Sequence, residues 1–239
     1  MPGMVSVSCR PLIESLFPDP VITLSATPEM WSGTLLPEEE ACLSPRAVPK
    51  RRREFTAGRV CARTALLRLG IRDFPIVAGP DRAPVWPSGV VGSLSHCGDY
   101  CGVALARAGS IVGVGLDVER ARPLQGRVVE IICTEAERGA IDSLAGLPPG
   151  LWAMIVFSAK ESAYKCYHPI AKAFLDFHDV EIDLAPGAGT FTARILKERG
   201  ADNTAGRRGI ESLRGRYAWN DAHVFAGVTL TAAELQDPA

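Results

Sequence analysis

Seven consecutive residues, Gly113-Val114-Gly115-Leu116-Asp117-Val118-Glu119, constrain the fold of this chain more than any other stretch. They alternate with a period of two, the pattern of a strand buried on one side. Val112, Val114, Leu116 and Val118 fall on one face, and Gly113, Gly115, Asp117 and Glu119 on the other. Residues two apart on a strand lie about 6.5–7 Å from one another, so the two carboxylates are neighbours. The glycines strip bulk from their face, and the expectation is that a ligand approaches the backbone there. Two acids on a bared face supply half of a site for a hard divalent cation.

The other half is expected in Phe157-Ser158-Ala159-Lys160-Glu161-Ser162-Ala163-Tyr164-Lys165. The segment Leu151 to Tyr167 lacks Gly and Pro and is rich in helix formers, which predicts a helix. Glu161 and Lys165, four apart, share a face. Lys160 stands about 100° round the axis and extends that face. A third carboxylate between two ammonium groups suits a metal-bound polyphosphate, with the lysines acting as point charges. Ser158-x-x-Glu161 also fits a capping box. A cap there would cut the predicted helix in half, so Glu161 is read as a ligand.

Three further blocks stand out. Gly92-Ser93-Leu94-Ser95-His96-Cys97 ends a strand rich in small residues. Lys50-Arg51-Arg52-Arg53-Glu54-Phe55 opens a helix running through Arg59 to Leu69, which Gly70 ends. Cations at a helix N-terminus oppose its dipole, a local cost that hints at a bound anion. Pro84-Val85-Trp86-Pro87 follows Arg82. Cys97 and Cys101 lack the second ligand pair of a zinc finger. The two glycines at 113 and 115 fail the dinucleotide fingerprint, because no third glycine and no helix follow directly.

The 239 residues allow one large domain or two small ones. A net charge of −1 argues against a dedicated nucleic-acid binder. Seven cysteines, an odd and scattered set, fit a reducing compartment. The start of the chain carries no apolar stretch of signal-peptide type. The longest apolar tract, Cys101 to Val118, is broken by Arg107, glycines and Asp117, which disfavours a membrane span. A cytoplasmic monomer binding neither nucleic acid nor membrane is expected.

Along the chain, Arg10 to Phe17 is expected as a short helix, and Val21 to Ser25 as a strand. A helix opens at Pro37-Glu38-Glu39-Glu40. Strands are expected at Val90–Ser95, Cys101–Ala106 and Ile111–Glu119. A capping box at Thr134-x-x-Glu137 opens another helix. Strands follow at Val180–Leu184 and Phe191–Ile195, then a mobile loop from Lys197 to Gly215. A closing hairpin turns at Asn220-Asp221.

These blocks, in this order from about Leu35 to Ala171, resemble the 4'-phosphopantetheinyl transferase superfamily, in particular the bacterial type that includes enterobactin synthase component D. The resemblance implies an α/β (α+β) fold of two similar α/β halves related by a pseudo-twofold, residues 1–115 and 116–239, the second carrying most of the metal site. It implies that Asp117, Glu119 and Glu161 hold Mg2+ (or Mn2+), and that Lys160 and Lys165 meet phosphates, with Glu161 and Lys165 catalytic. It assigns Ser95 and His96 to phosphates of coenzyme A, and Arg51 and Arg59 to its 3'-phosphate and adenosine end. Arg82 joins them, where relatives often carry lysine. The implied activity moves the 4'-phosphopantetheine arm of coenzyme A onto a serine of an apo acyl or peptidyl carrier protein and releases adenosine 3',5'-bisphosphate. Polyketide, non-ribosomal peptide or siderophore assembly is the implied setting. The alternative from the same acids is a Mg2+-dependent phosphohydrolase acting on coenzyme A or a related diphosphate. A non-catalytic coenzyme A-binding module fits less well, because all three acids are present.

Overall fold

A computed structural model describes residues 12–196 and 209–236. Two antiparallel sheets, each covered by one long helix, meet along a seam. The first sheet holds β1 (Ile22–Ser25), β2 (Val90–Cys97) and β3 (Tyr100–Arg107) in the order β1-β3-β2. The second holds β4 (Ile111–Arg120), β5 (Val180–Ala185), β6 (Thr190–Ile195), β7 (Ser212–Trp219) and β8 (His223–Thr231) in the order β4-β8-β7-β6-β5. β4 belongs whole to the second sheet, so the chain changes sheets at residues 108–110 and not at residue 115.

Helix α1 (Pro37–Glu40) precedes α2 (Pro49–Leu67), which buries Cys61, Ala62, Ala65 and Leu66 against Val103 and Leu105 of β3. Gly70 follows with φ 75°, the left-handed backbone that ends a helix at low steric cost. In the second half come α3 (Arg127–Ile132), α4 (Glu135–Asp142) and α5 (Pro149–Ala171), with α6 (Ala232–Gln236) at the end. α5 buries Trp152, Ile155, Val156, Ala159 and Ala163 against the second sheet. Between the sheets, Ala104 and Ala106 meet Val114, Leu116, Val118 and Phe225, with Ile13, Leu16 and Phe17 at the edge. Val114, Leu116 and Val118 of the expected apolar face are therefore inter-sheet core, whereas Val112, beside a register shift between Ile111 and Gly113, packs against the α5 cluster and Ile111 takes its place.

The opposite face of β4 packs on α5, and here the structure corrects one expectation. A Cβ at Gly115 would strike the main-chain carbonyl of Ser162, and one at Gly113 would come within 2.8 Å of Cys166 and Ile170 side-chain atoms. The glycines admit a helix, not a ligand.

The two halves share a device that no sequence repeat reveals. Glu39 is fully buried; its carboxylate accepts from Leu36 N at 3.0 Å and Ile76 N at 3.0 Å and pairs with Arg63 of α2. Glu137, also buried, accepts from Thr134 N at 2.7 Å and Ile182 N at 2.7 Å and pairs with Lys160 of α5 at 2.8 Å. Each acid caps a short helix, holds a cation from the long helix and takes one main-chain N–H from the chain beyond it. Buried charges need this completeness of partners to be tolerated.

Other expectations are met or shifted by a few residues. The start of the chain forms a short 3-10 turn at Leu12–Leu16, and Arg10 lies outside the described residues. Thr134 and Glu137 form the expected capping box. The expected mobile loop is corrected at its end: Ser212–Gly215 belong to β7, while residues 197–208 lie outside the described part. β7 and β8 form the closing hairpin. The cysteines at 42, 61, 97, 101, 133 and 166 are free thiols. Among the described residues no helix is long and apolar enough to cross a membrane.

Candidate functional site

Asp117 lies at the seam between the sheets and is 2% exposed. Its neighbours explain how a carboxylate survives there. Lys165 Nζ donates to Oδ1 at 2.6 Å, Ser95 Oγ donates to the same oxygen at 3.2 Å, and Ser158 Oγ donates to Oδ2 at 2.9 Å. Ser95 also accepts from Val118 N at 3.2 Å and from Lys165 at 3.2 Å. Two residues earlier, Ser93 Oγ accepts from Leu116 N at 2.9 Å. β2 thus meets β4 through serine hydroxyls standing where ladder carbonyls would be.

Glu119 continues the same face and receives the Cys97 thiol at 3.7 Å. Burial, and then Asp117, push its carboxyl up to about 7, with a further contribution from Glu161. Glu161 reaches the face from α5. Its carboxyl is raised by burial and then by Asp117, with Lys165 opposing. The three acids therefore feel one another's charge. They are not drawn into a closed triad: among the described residues no three His, Cys, Asp or Glu side chains stand close enough to hold a metal ion. Lys165 supplies the compensating cation on Asp117. The donor set, three carboxylates from two elements, has the chemistry of a hard oxygen site.

Lys160 requires a correction. Its side chain is 3% exposed, and Nζ donates to Ile132 O at 2.8 Å, Phe177 O at 2.7 Å and Glu137 Oε2 at 2.8 Å. All three ammonium protons are used inside the protein. A rotation of about 100° from Glu161 carries it away from the site, into the latch described above.

His96 sits between two residues of α2. Arg51 donates to its Nε2 at 3.3 Å, and Glu54 lies 4.0 Å from Nδ1. Since a guanidinium can only donate, Nε2 carries no proton and Nδ1–H turns toward Glu54. Burial lowers the tendency of His96 to protonate; Arg51, Lys165 and Arg59 add to this and Glu54 opposes it. Arg59 is placed differently from Arg51. It is 6% exposed, donates to Ile76 O at 2.8 Å and lies 3.9 Å over the Phe55 ring. Its charge reaches His96 and Arg51 as a field from inside the protein, and burial, its largest influence, makes that charge costlier to hold.

Arg82, with φ 64°, lines a cavity of about 620 Å³ together with Trp86, Leu94, Tyr164 and Lys165. Asp81 and His168, 3.6 Å apart, link the loop carrying Arg82 to α5 beside this cavity. The structure thus brings together Asp117, Lys165 and Ser95, with Glu119 next along β4 and Glu161 facing them from α5, and places Arg82 along the cavity and Arg51 against His96. It removes Lys160 and buries Arg59. Sequence reasoning missed Ser158 as a partner of Asp117, although its spacing of three from Glu161 puts both on one helix face.

Comparisons with known proteins agree with this geometry. A profile described as the 4'-phosphopantetheinyl transferase N-terminal domain matches residues 38–106. One described as the 4'-phosphopantetheinyl transferase superfamily matches residues 113–216. The chain is 39% identical to the 4'-phosphopantetheinyl transferase Svp of Streptomyces mobaraensis, over 92% of this chain and 90% of that protein. It is 38% identical to the 4'-phosphopantetheinyl transferase PptT of Mycobacterium tuberculosis, over 94% and 98% respectively. Enterobactin synthase component D of Escherichia coli K12 is 37% identical across 54% of this chain and 61% of its own length. With near full-length relatives, two matching profiles in sequence order and a site built where the profiles meet, this chain belongs to the 4'-phosphopantetheinyl transferase superfamily and is a transferase enzyme.

Proposed function

We propose that this enzyme transfers the 4'-phosphopantetheine moiety of coenzyme A to a serine of an apo carrier protein, in a Mg2+-dependent reaction that releases adenosine 3',5'-bisphosphate. The observation that carries the reading is Asp117 at the sheet seam, paired with Lys165 of α5 at 2.6 Å, with Glu119 two residues on and Glu161 on α5 within reach of its charge, beside a cavity lined by Arg82 and Trp86. Asp117, Glu119 and Glu161 would hold Mg2+, or Mn2+, where it would draw charge from the diphosphate oxygens.

The chain's own side chains do the rest. Lys165, whose side chain is 28% exposed while its ammonium pairs with Asp117, neutralises a phosphate oxygen. Ser95 and His96 would meet phosphates of coenzyme A, and Arg51 and Arg82 its 3'-phosphate and adenosine end, with the buried Arg59 contributing its field. Glu161, or a water at the cation site, would take the serine proton. The serine oxygen forms a bond to the phosphorus that bears pantetheine. The bond from that phosphorus to the bridging oxygen breaks, and the electron pair leaves on the nucleotide phosphate. Such a reaction depends on positioning and charge stabilisation.

Partners follow as coenzyme A and acyl or peptidyl carriers, with polyketide, non-ribosomal peptide and siderophore assembly as the setting. The test is intact-mass spectrometry of several apo carriers after incubation with coenzyme A and Mg2+. One phosphopantetheine unit should be gained, and EDTA should abolish the gain. No gain on any carrier, with coenzyme A consumed in the absence of carrier, would identify a phosphohydrolase instead.

A further inference from the structure

We infer that Ser158 is a positioning residue for the cation site, fixing the orientation of the Asp117 carboxylate by a hydrogen bond that bridges α5 and β4. This rests on the proposed metal reading and adds a residue to it. Ser158 is fully buried, in the stretch of α5 that otherwise buries Trp152 through Val156 and Ala159. A buried hydroxyl is a cost unless it is bonded, and an alanine there would serve helix packing as well. Its bond is the one to Asp117 Oδ2, at 2.9 Å.

The consequence is geometric. The terminal torsion of an aspartate is broad and does not fix the carboxylate plane by itself. Here Ser95 and Lys165 hold Oδ1 while Ser158 holds Oδ2, so the plane is gripped from the first sheet and from two positions on α5. Ser158 is a neutral donor, which orients the carboxylate and leaves its charge in place. Ser162, one turn on, donates instead to Ala159 O at 2.9 Å and does not compete. Without Ser158 the carboxylate is free to swing and offer both oxygens to Lys165, which would set the ion pair against cation binding. Outer partners that orient a ligand contribute to affinity even though they do not touch the ion.

The experiment measures Mn2+ binding by electron paramagnetic resonance on the full-length protein, with Mn2+ alone as the probe. Ser158→Ala removes one atom and should fold. It should weaken Mn2+ binding by about 10- to 100-fold, the range for loss of an orienting partner. Ser158→Thr, which keeps the hydroxyl, should restore it. A purely structural serine would lower Tm in the alanine variant and leave the Mn2+ titration alone. Wild-type affinity in Ser158→Ala overturns this inference and leaves the metal reading standing. Absence of Mn2+ binding in the wild type overturns both.

Discussion

Glu119 holds a proton in the folded protein at a pH where an unfolded chain has already released it. Its carboxyl moves from an ordinary 4.5 up to about 7, through burial first and Asp117 second. Between those values the folded state binds the extra proton, so stability falls as pH rises through the window. The penalty is absent below about pH 4.5 and fully present above about pH 7. Glu119→Gln should therefore raise the Tm of the EDTA-treated protein at pH 8 relative to wild type, and leave the difference near zero at pH 4. Calorimetry with equal shifts at both pH values would refute this. Asp117→Ala should abolish transfer while the protein stays folded; full activity in that variant would remove the metal proposal. At this scale, period-two alternation put Asp117 and Glu119 on one face of a strand, and i,i+4 spacing put Glu161 and Lys165 on one face of a helix, as the fold has them. Lys160 was misread because helical spacing gives an angle, and burial decides what an angle faces.

At the scale of elements, the packing of α5 on β4 is the most demanding contact. Gly115→Ala puts a methyl against the Ser162 carbonyl, main chain that cannot turn aside. Overpacking of this kind costs about 1–3 kcal/mol or more, and activity should fall with it because α5 carries Glu161 and Lys165. Gly113→Ala should be milder, since it meets the side chains of Cys166 and Ile170. Urea unfolding of the two variants ranks them, and an equal or reversed ranking would contradict the packing argument. Lys160→Met leaves Glu137 buried without its cation, a loss of about 3–5 kcal/mol, and Lys165→Ala, which leaves the buried Asp117 without its own, should cost stability as well. β7 was illegible in the sequence because glycine and arginine mask its alternation. Leu213, Gly215 and Tyr217 face the core, and Gly215 is small because the Phe191 ring lies against it. The latches at Glu39 and Glu137 were hidden for another reason: their partners differ, Arg63 in one half and Lys160 in the other.

For the whole molecule, the proposed ligand contacts come from both halves, Arg51 and His96 from one and Glu161 and Lys165 from the other. Coenzyme A with Mg2+ should therefore tie the halves together and raise the stability of the entire chain. At about one hundred times its Kd a ligand adds about 2.7 kcal/mol. Thermal unfolding should show one transition shifted upward, with the shift reduced by either Arg51→Ala or Lys165→Ala. A shift confined to one of two separate transitions would mean that the ligand sits within a single half. The two-half plan came from the family resemblance and not from any repeat in the sequence. The seam was not legible, because serine-to-backbone bonds between sheets leave no periodic trace.

The two glycines of β4 bring strand and helix into contact through their main chains. Side chains in a core drift readily, one methyl group at a time, and interlayer distances drift with them. A spacing set by peptide against peptide has no such freedom. The distance between the acids of the strand and Glu161 of the helix is thereby insulated from substitutions elsewhere in the interior.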